Sequence, residues 1–482
     1  MTSRLPAPHA VPAPRPRRAP VERAAADGAA APQVPAPPAP ERPGRSRRSV
    51  LTALGAAPLA GALSACGGGG GSSRGSRGVT RITFWSALRG SQEVVDAFNR
   101  SHDRLQIDFE QIPSGAAGGY LKLSNAARAG NSPDVATIEY PEVPEFAIDG
   151  VARDITDLVD DRLRARLLPQ ALGLTTFEKR IYTVPVDVEP MVMHYRRDYF
   201  EQFGIQVPRT WDEFEQAART VRKKAPNRRL AVFPTDGGET FAAHAWQAGA
   251  QWYDLRDGAW NISLADEATR RVAAFWQRLI DEDLVFANPG TGRQNDAQIG
   301  KGMVLARFSG AWDAGAQMGA RPAQKGQWRI APLPQWDPDR PVVGTQGGST
   351  FSVTKDCRNP EAAMEFIAWQ VSDPAALRAR LSSGASSQYP AVPSLLGVDR
   401  KAFDRSYYGG QDIYRLFDDE AHKIRDSWRW GPRMRPTIRL MQDGFARMTG
   451  GQGSVIAAVR QAQRGTMPDL KALGLSTTEH ST

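Results

Sequence analysis

Cysteine is almost missing from this chain: 482 residues contain two, Cys66 and Cys357. Two cysteines in unlike surroundings exclude a disulfide framework as the organising device. Histidine is scarce as well. His9, His102, His194, His244, His422 and His480 are scattered with no pair at ligand spacing, so no metal centre is expected. There is no Walker A loop and no CxxC pair, and no cofactor is expected. The excess of positive charge also thins out on inspection. Net charge is +9, but nine arginines against three acidic residues sit within residues 1–65, which leaves +3 for the rest. A nearly neutral body argues against a nucleic-acid partner.

What is present begins with an unusual leader. Residues 1–45 are dense in Pro, Ala and Arg with almost no large apolar side chain, a composition that cannot offset chain entropy and predicts disorder. Ser46-Arg47-Arg48-Ser49 then leads into an apolar run from Val50 to Leu63. That run suits the hydrophobic part of a signal peptide and falls short of the ~20 residues that span a bilayer. It ends in Leu63-Ser64-Ala65-Cys66, followed by five glycines and a Ser/Gly/Arg stretch. The order resembles a bacterial lipobox, with small residues admitting the peptidase and the cysteine thiol taking the lipid. The twin arginine resembles a Tat signal. The expectation is a signal peptide at 46–65, lipidation on Cys66 and a tether over 66–79. The exported chain would then be anchored to the outer face of the cell membrane, with a reach of some tens of ångströms at ~5–6 Å × √n. Cys357, between Asp356 and Arg358 with no motif around it, is expected to be structural.

From Val79 the pattern changes to compact elements. Residues 81–85 and 105–109 suit strands, and Ser91 to Asn99 suits a helix with Ser91 as its N-cap. Tyr120 to Ala129 has helical spacing and residues 133–138 suit a third strand. Strand, helix, strand, helix, strand predicts a parallel α/β sheet. Ligands bind beyond the carboxyl ends of such strands, which draws Trp85, Ser86, Glu139 and Tyr140 to one crevice. Ile181 to Tyr195 predicts a strand leaving the first sheet for a second. Thr210 with Glu213 has capping-box spacing, and 266–281, 360–371, 412–426 and 454–464 predict further helices.

At this point the chain resembles the family 1 extracellular solute-binding proteins of ABC importers, which include maltose- and other oligosaccharide-binding proteins. The residues that carry the resemblance are Ile82-Thr83-Phe84-Trp85, Gly130 to Val135, Ile181 to Tyr195 and Pro208 to Phe214. Later pieces are Gly300 to Met303, Gly310-Ala311-Trp312, Ala331 to Pro334, Gly347-Gly348 and Asn359 to Trp369. Each is weak alone; their order and spacing make the match specific. The departure is local, Tyr195-Arg196-Arg197-Asp198 where Tyr-Asn-Lys-Asp is usual.

The resemblance implies a type II periplasmic-binding-protein-like fold, two α/β lobes joined by a hinge and closing on ligand. Lobe 1 is expected at 80–186 plus 348–398 and lobe 2 at 187–347 plus 399–470, with a flexible tail at 471–482. The crossings fall at 187–190 and 344–348. It also implies a monomer that captures a small molecule and delivers it to membrane permease subunits, with ATP hydrolysis on a separate subunit.

A sugar is the expected ligand, because aromatic rings stack on its C–H faces while carboxylates and Arg bind its hydroxyl rim. Trp312, beyond a strand end, leads the candidates, with Trp85, Ser86, Glu139 and Tyr140 at the crevice. Asp187 and Glu189 lie on the crossing strand, and Gly347 and Gly348 suit close backbone approach. Trp246 and Trp252 flank Gly249 in a helix-to-loop stretch, and Trp430 and Arg433 belong to a predicted loop. Trp211, Trp276 and Trp369 fit helix core faces. Two alternatives accompany this reading. One is a receptor for a polyol-phosphate such as glycerol-3-phosphate, using Arg433 and tyrosines. The other is an exported glycosidase using Asp187 and Glu189, which share one face of a strand.

Overall fold

The computed structural model describes residues 78–256, 258–384 and 386–479. The leader, the twin arginine, Cys66 and nearly all of the glycine tether lie outside the described residues.

One sheet organises the first lobe. Its five strands run in the order Leu105–Gln111, Thr80–Ser86, Val135–Glu139, Ser349–Val353 and Val184–Pro185. The first three are parallel, with Ile82 opposite Ile107 and Phe84 opposite Val135. The crossovers between them are the helices Ser91–Ser101 and Gly119–Arg128. Helix Ser91–Ser101 buries Val94, Val95 and Phe98 against this sheet, a stripe at helical spacing. The first three are parallel as expected, and the other two strands, whose direction the pattern did not give, run antiparallel to their neighbours. The reason is the route of the chain: Ser349 sits opposite Glu139, so this strand enters the sheet at the carboxyl end of Val135–Glu139 and runs back. Phe84 packs edge-on against Phe351 and Phe366 at 5.5 and 5.4 Å between ring centres, closing the core. Ser91 is not the N-cap. Gly90 occupies that position at φ 80, and Ser91 instead donates its hydroxyl to Ser86 Oγ at 3.0 Å.

The segment from 181 to 196 leaves the first sheet in steps broken by Pro185 and Pro190. Val184–Pro185 pairs with Ser349–Val353, and Asp187–Val188 pairs with Tyr389–Pro390. Met191–Arg196 then enters a second, antiparallel sheet between Ala306–Gly310 and Trp328–Ala331. The return segment runs beside it. Met191 N–H donates to Gly344 O and Gln346 N–H to Glu189 O, both at 3.0 Å. The two connections between the lobes are thus hydrogen-bonded to one another.

The second lobe is mainly helical. Trp211–Lys224 starts at Thr210, whose Oγ1 accepts from Glu213 N–H at 3.2 Å; the Glu213 carboxylate reaches back to Arg209 N–H at 2.6 Å. Both groups would otherwise be orphan donors at a helix start. Asp266 caps Glu267–Asp281 in the same way. These helices pack with Gly238–Ala248 around Trp211, Trp276, Phe275 and Phe308. The late helices Met434–Thr449 and Val455–Ala472 pack on each other and on this group. The segment expected as a tail is partly ordered into a strand, Thr477–Glu479, paired with Ala259–Ile262. Among the described residues no helix is long and apolar enough to cross a membrane. Cys357 is buried, and burial pushes its thiol up to about 12, far from a reactive thiolate.

Candidate functional site

The parallel strands end at a cleft between the lobes. Behind its first-lobe wall, Ser86 Oγ accepts from Leu88 N–H, Ser91 Oγ and Thr137 Oγ1 at 2.8–3.0 Å. One serine thereby ties the loop 87–89 to the third strand. A cavity of about 430 Å³ opens here, within the ~300–1,000 Å³ of small-molecule sites. Its wall includes Arg89, Tyr120, Thr137 and Glu139 from the first lobe and Asp187, Glu189, Gln346, Gly347 and Gly348 from the connections. Glu239 and Trp312 close it from the second lobe.

Trp312 is held firmly although its side chain is only partly buried. Its backbone N–H donates to Glu189 Oε2 at 2.6 Å, and its indole N–H donates to Gln346 O at 3.1 Å. Gln346 Oε1 in turn accepts from Ser309 Oγ and Gly310 N–H at 3.0 and 2.9 Å. With both N–H groups engaged, what the ring offers the cavity is its apolar face. The adjacent glycines are required by geometry. Gly347 and Gly348 have φ of +83 and +105, and a Cβ on Gly348 would lie 2.7 Å from Tyr140 Cε2. Tyr140 is itself fixed, donating its hydroxyl to Asp187 O at 2.8 Å.

The cleft concentrates carboxyl groups. Burial pushes Asp187 up to about 7, against the opposing effect of Ser349 N–H, which donates to Asp187 Oδ1 at 2.6 Å. Burial also raises Glu239 to about 7, with Glu139 adding to the shift. Glu139 and Glu189 are raised too, both by burial first, and Glu189 further by the charge of Asp187. The physical cause is common to all four: desolvation penalises the ionised form.

A second cavity, about 270 Å³, continues into the second lobe and shares Glu239, Trp312 and Gln346 with the first. Its walls are largely apolar, with Phe233, Phe241, Trp276 and Phe308, and it also contains His244. Burial lowers the His244 imidazole to about 3, so this histidine is neutral at physiological pH.

Of the thirteen residues expected at the site, the structure brings Glu139, Asp187, Glu189, Trp312, Gly347 and Gly348 to the cavity wall. Ser86 and Tyr140 are buried directly behind it. Trp85 is elsewhere. Strand alternation sends its side chain to the sheet face beneath Lys122, whose ammonium lies 4.1 Å from the ring centre. Trp246 and Trp252, expected in a helix-to-loop stretch, and Trp430, expected in a loop, are 1, 0 and 3 % exposed. Trp246 stacks on Trp428 at 5.2 Å, and Trp430 meets Trp428 edge-on at 5.1 Å. This cluster backs the second connection, where Trp246 Cβ lies 3.1 Å from where a Cβ on Gly344 would be. Trp246 lies on the helix Gly238–Ala248, and the irregular segments that carry Trp252 and Trp430 fold inward beside it because that much aromatic surface is worth more in a core than in water. Arg433 is also outside the cavity. It pairs with Glu145 and Asp149 at 3.3 and 3.2 Å, while Arg435 pairs with Glu145 as well. Helix Val143–Ile148 packs on the first lobe, so these ion pairs tie the two lobes together.

Of the wall residues named above, those missing from the sequence-based set are Arg89, Tyr120, Thr137, Glu239 and Gln346. Arg89 follows the first strand, where the strand-end rule already pointed, and Gln346 precedes the flagged glycine pair. Glu239 gave no signal, since an acidic residue in the first turn of a helix is ordinary.

The family model for bacterial extracellular solute-binding proteins matches residues 86–377, and the chain belongs to this family. It is similar to the lactose-binding protein of Rhizobium radiobacter, 25% identical over 66% of this chain and 73% of that protein. It is also similar to the arabinooligosaccharide-binding protein of Bacillus subtilis (strain 168), 24% identical over 60% of this chain and 69% of the other. Among solved structures, it resembles the galacto-N-biose-/lacto-N-biose I-binding protein of the ABC transporter from Bifidobacterium longum, in complex with lacto-N-biose. The TM-score is 0.74 at 26% identity, covering 83% of this chain and 99% of that one.

Proposed function

We propose that this protein captures a mono- or oligosaccharide in the cleft between its lobes and delivers it to the permease of an ABC importer. The observation that carries this reading is Trp312. An aromatic face at the cavity, with both N–H groups already satisfied and a rim of carboxyl and amide groups around it, suits a sugar ring lying flat with its hydroxyls outward. The relatives named for lactose, arabino-oligosaccharides and lacto-N-biose support the same ligand class. Contacts from both lobes would shift the population toward a closed form, the state a permease recognises.

The lobes we assign are 80–186 with 348–398, and 187–347 with 399–470. The ligand-contacting set we assign is Arg89, Thr137, Glu139, Asp187, Glu189, Glu239, Trp312 and the Gln346–Gly348 backbone. The protein acts as a monomer tethered by a lipid on Cys66, exported through its twin-arginine signal. Calorimetric titration of residues 79–482 with glucose, galactose, lactose, maltotriose and arabino-oligosaccharides tests the sugar reading. Binding of at least one is expected, and silence from all of them with binding of another ligand class overturns it. Replacement of Cys66 by Ser is expected to release the protein into the medium; retention at the membrane overturns the anchor.

A further inference from the structure

The charge of the cleft is lopsided. Among the described residues lining the larger cavity, the carboxyl groups are Glu139, Asp187, Glu189 and Glu239, and the cation is Arg89. They come from three places: the end of a first-lobe strand, the connection between the lobes, and the first turn of Gly238–Ala248 in the second lobe. Glu189 supplies a separate observation. It is 1 % exposed, its Oε2 accepts from Trp312 N–H, the Tyr389 backbone N–H also acts on the carboxylate, and its Oε1 makes no hydrogen bond of ordinary geometry. A buried acceptor left open on a cavity wall is costly, and it is relieved by a donor that arrives with the ligand.

A neutral sugar only partly relieves this arrangement. Its hydroxyls donate to some carboxylate oxygens, but on entry it excludes water from four acids facing one arginine and leaves their mutual repulsion in place. A metal ion is not the natural answer either. Among the described residues no group of three or more His, Cys, Asp or Glu side chains is placed to hold one. A ligand bearing its own positive charge donates to the open oxygen and discharges the cluster together, through hydrogen bonds about twice as strong as neutral ones.

We propose that the captured saccharide is a basic amino sugar, or an oligosaccharide containing one, whose protonated amine enters the cleft lined by Glu139, Asp187, Glu189 and Glu239 and is held there by the carboxyl groups it reaches. This rests on the sugar-receptor reading above and narrows it to a cationic ligand class. The raised carboxyl groups add a further consequence. An ammonium entering the cleft favours their ionised forms, so binding releases protons. The groups that share this balance are Arg89 in the cavity wall, Arg380 acting on Asp187 from the helix Pro374–Ser382, and Arg435 acting on Glu142 beside Glu139. Tyr120 and Tyr140, both pushed upward, stay neutral.

The test is calorimetry of residues 79–482 with matched probes: glucose and glucosamine, galactose and galactosamine, and cellobiose and the β-1,4-linked glucosamine dimer. N-acetylated forms of each amine serve as the control that keeps the nitrogen and removes the charge. The expected result is tighter binding of one amine over its hydroxyl and N-acetyl counterparts by about tenfold or more, with protons released when two buffers of different ionisation heat are compared. Glu239→Gln, and Glu139→Gln in case the first variant fails to fold, should each narrow that ratio several-fold. Neutral sugars binding as tightly as their amines overturn the inference and leave the sugar receptor standing. An amine preference untouched in both variants overturns the placement in this cleft. If no saccharide binds, charged or neutral, the sugar reading falls and this inference with it.

Discussion

Asp187 lies on the first connection between the lobes and is 3 % exposed. Burial raises its carboxyl from 3.8 to about 7. Below pH 3.8 the group is protonated in both folded and unfolded chains and makes no difference. Between 3.8 and about 7 the unfolded chain has lost a proton that the folded chain keeps, so stability falls as pH rises, and it is flat again above 7. The span is about three units at about 1.4 kcal/mol each, an upper figure of about 4 kcal/mol. Asp187→Asn removes the titration while its amide oxygen still accepts from Ser349 N–H, the bond that Asp187 Oδ1 makes at 2.6 Å. The variant should therefore match the parent near pH 4 and exceed it at pH 8, with a midpoint several degrees higher in thermal unfolding followed by circular dichroism. A variant less stable than the parent at pH 8 would refute the reasoning. It would mean that the ionised carboxylate is favoured in the fold, through Arg380 behind it, and that desolvation is not the governing effect.

Trp312→Ala should weaken saccharide binding by about 2 kcal/mol or more, roughly 30-fold, as expected for an aromatic anchor at the centre of a site, while its unfolding midpoint moves little. Equal affinity in calorimetry would remove Trp312 from the ligand. Gly348→Ala places a Cβ 2.7 Å from Tyr140 Cε2 at a φ of +105, so it should lower the midpoint and weaken binding together, with strain of about 1–3 kcal/mol. Gly150→Ala is the control: its φ is +68 but a Cβ there meets nothing within 4 Å, and it should cost less and leave binding alone. Equal losses in the two variants would show that backbone strain, not displacement of Tyr140, governs position 348.

Local pattern revealed what local chemistry decides. The apolar stripe Val94, Val95 and Phe98 and the Thr210–Glu213 cap are set by neighbours in the chain, and each appears within a residue or two of its expected place. The direction of Ser349–Val353 was hidden because it depends on a return from the second lobe. Site residues divide in the same way. Glu139, Asp187, Trp312 and the glycine pair follow from strand ends and the family pattern, whereas Trp246, Trp252 and Trp430 do not. Absence of helix or strand periodicity signals a loop, but it does not say whether that loop faces solvent. Here the cluster around Trp428 shows that an irregular segment can be core.

The same short segments do two jobs. Residues 187–191 and 344–349 hydrogen-bond each other as the connections between lobes, and they also present Asp187, Glu189 and the Gln346–Gly348 backbone to the cavity. Glu189 joins the two roles: its main-chain oxygen accepts from Gln346 N–H, and its carboxylate holds Trp312. A ligand that engages Glu189 Oε1 therefore acts on the hinge directly and needs no relay through either lobe. The ion pairs of Arg433 and Arg435 with Glu145 and Asp149 fall outside the cavity, so they bias the lobes whether or not ligand is present. Moving such a balance from 1:99 to 99:1 takes about 5.5 kcal/mol of differential binding. A few charge-assisted hydrogen bonds formed with both lobes at once supply that order of energy, and a single neutral contact does not. Spreading the carboxyl groups over both lobes and the hinge thus gives a ligand in the cavity a way to act on both lobes at once.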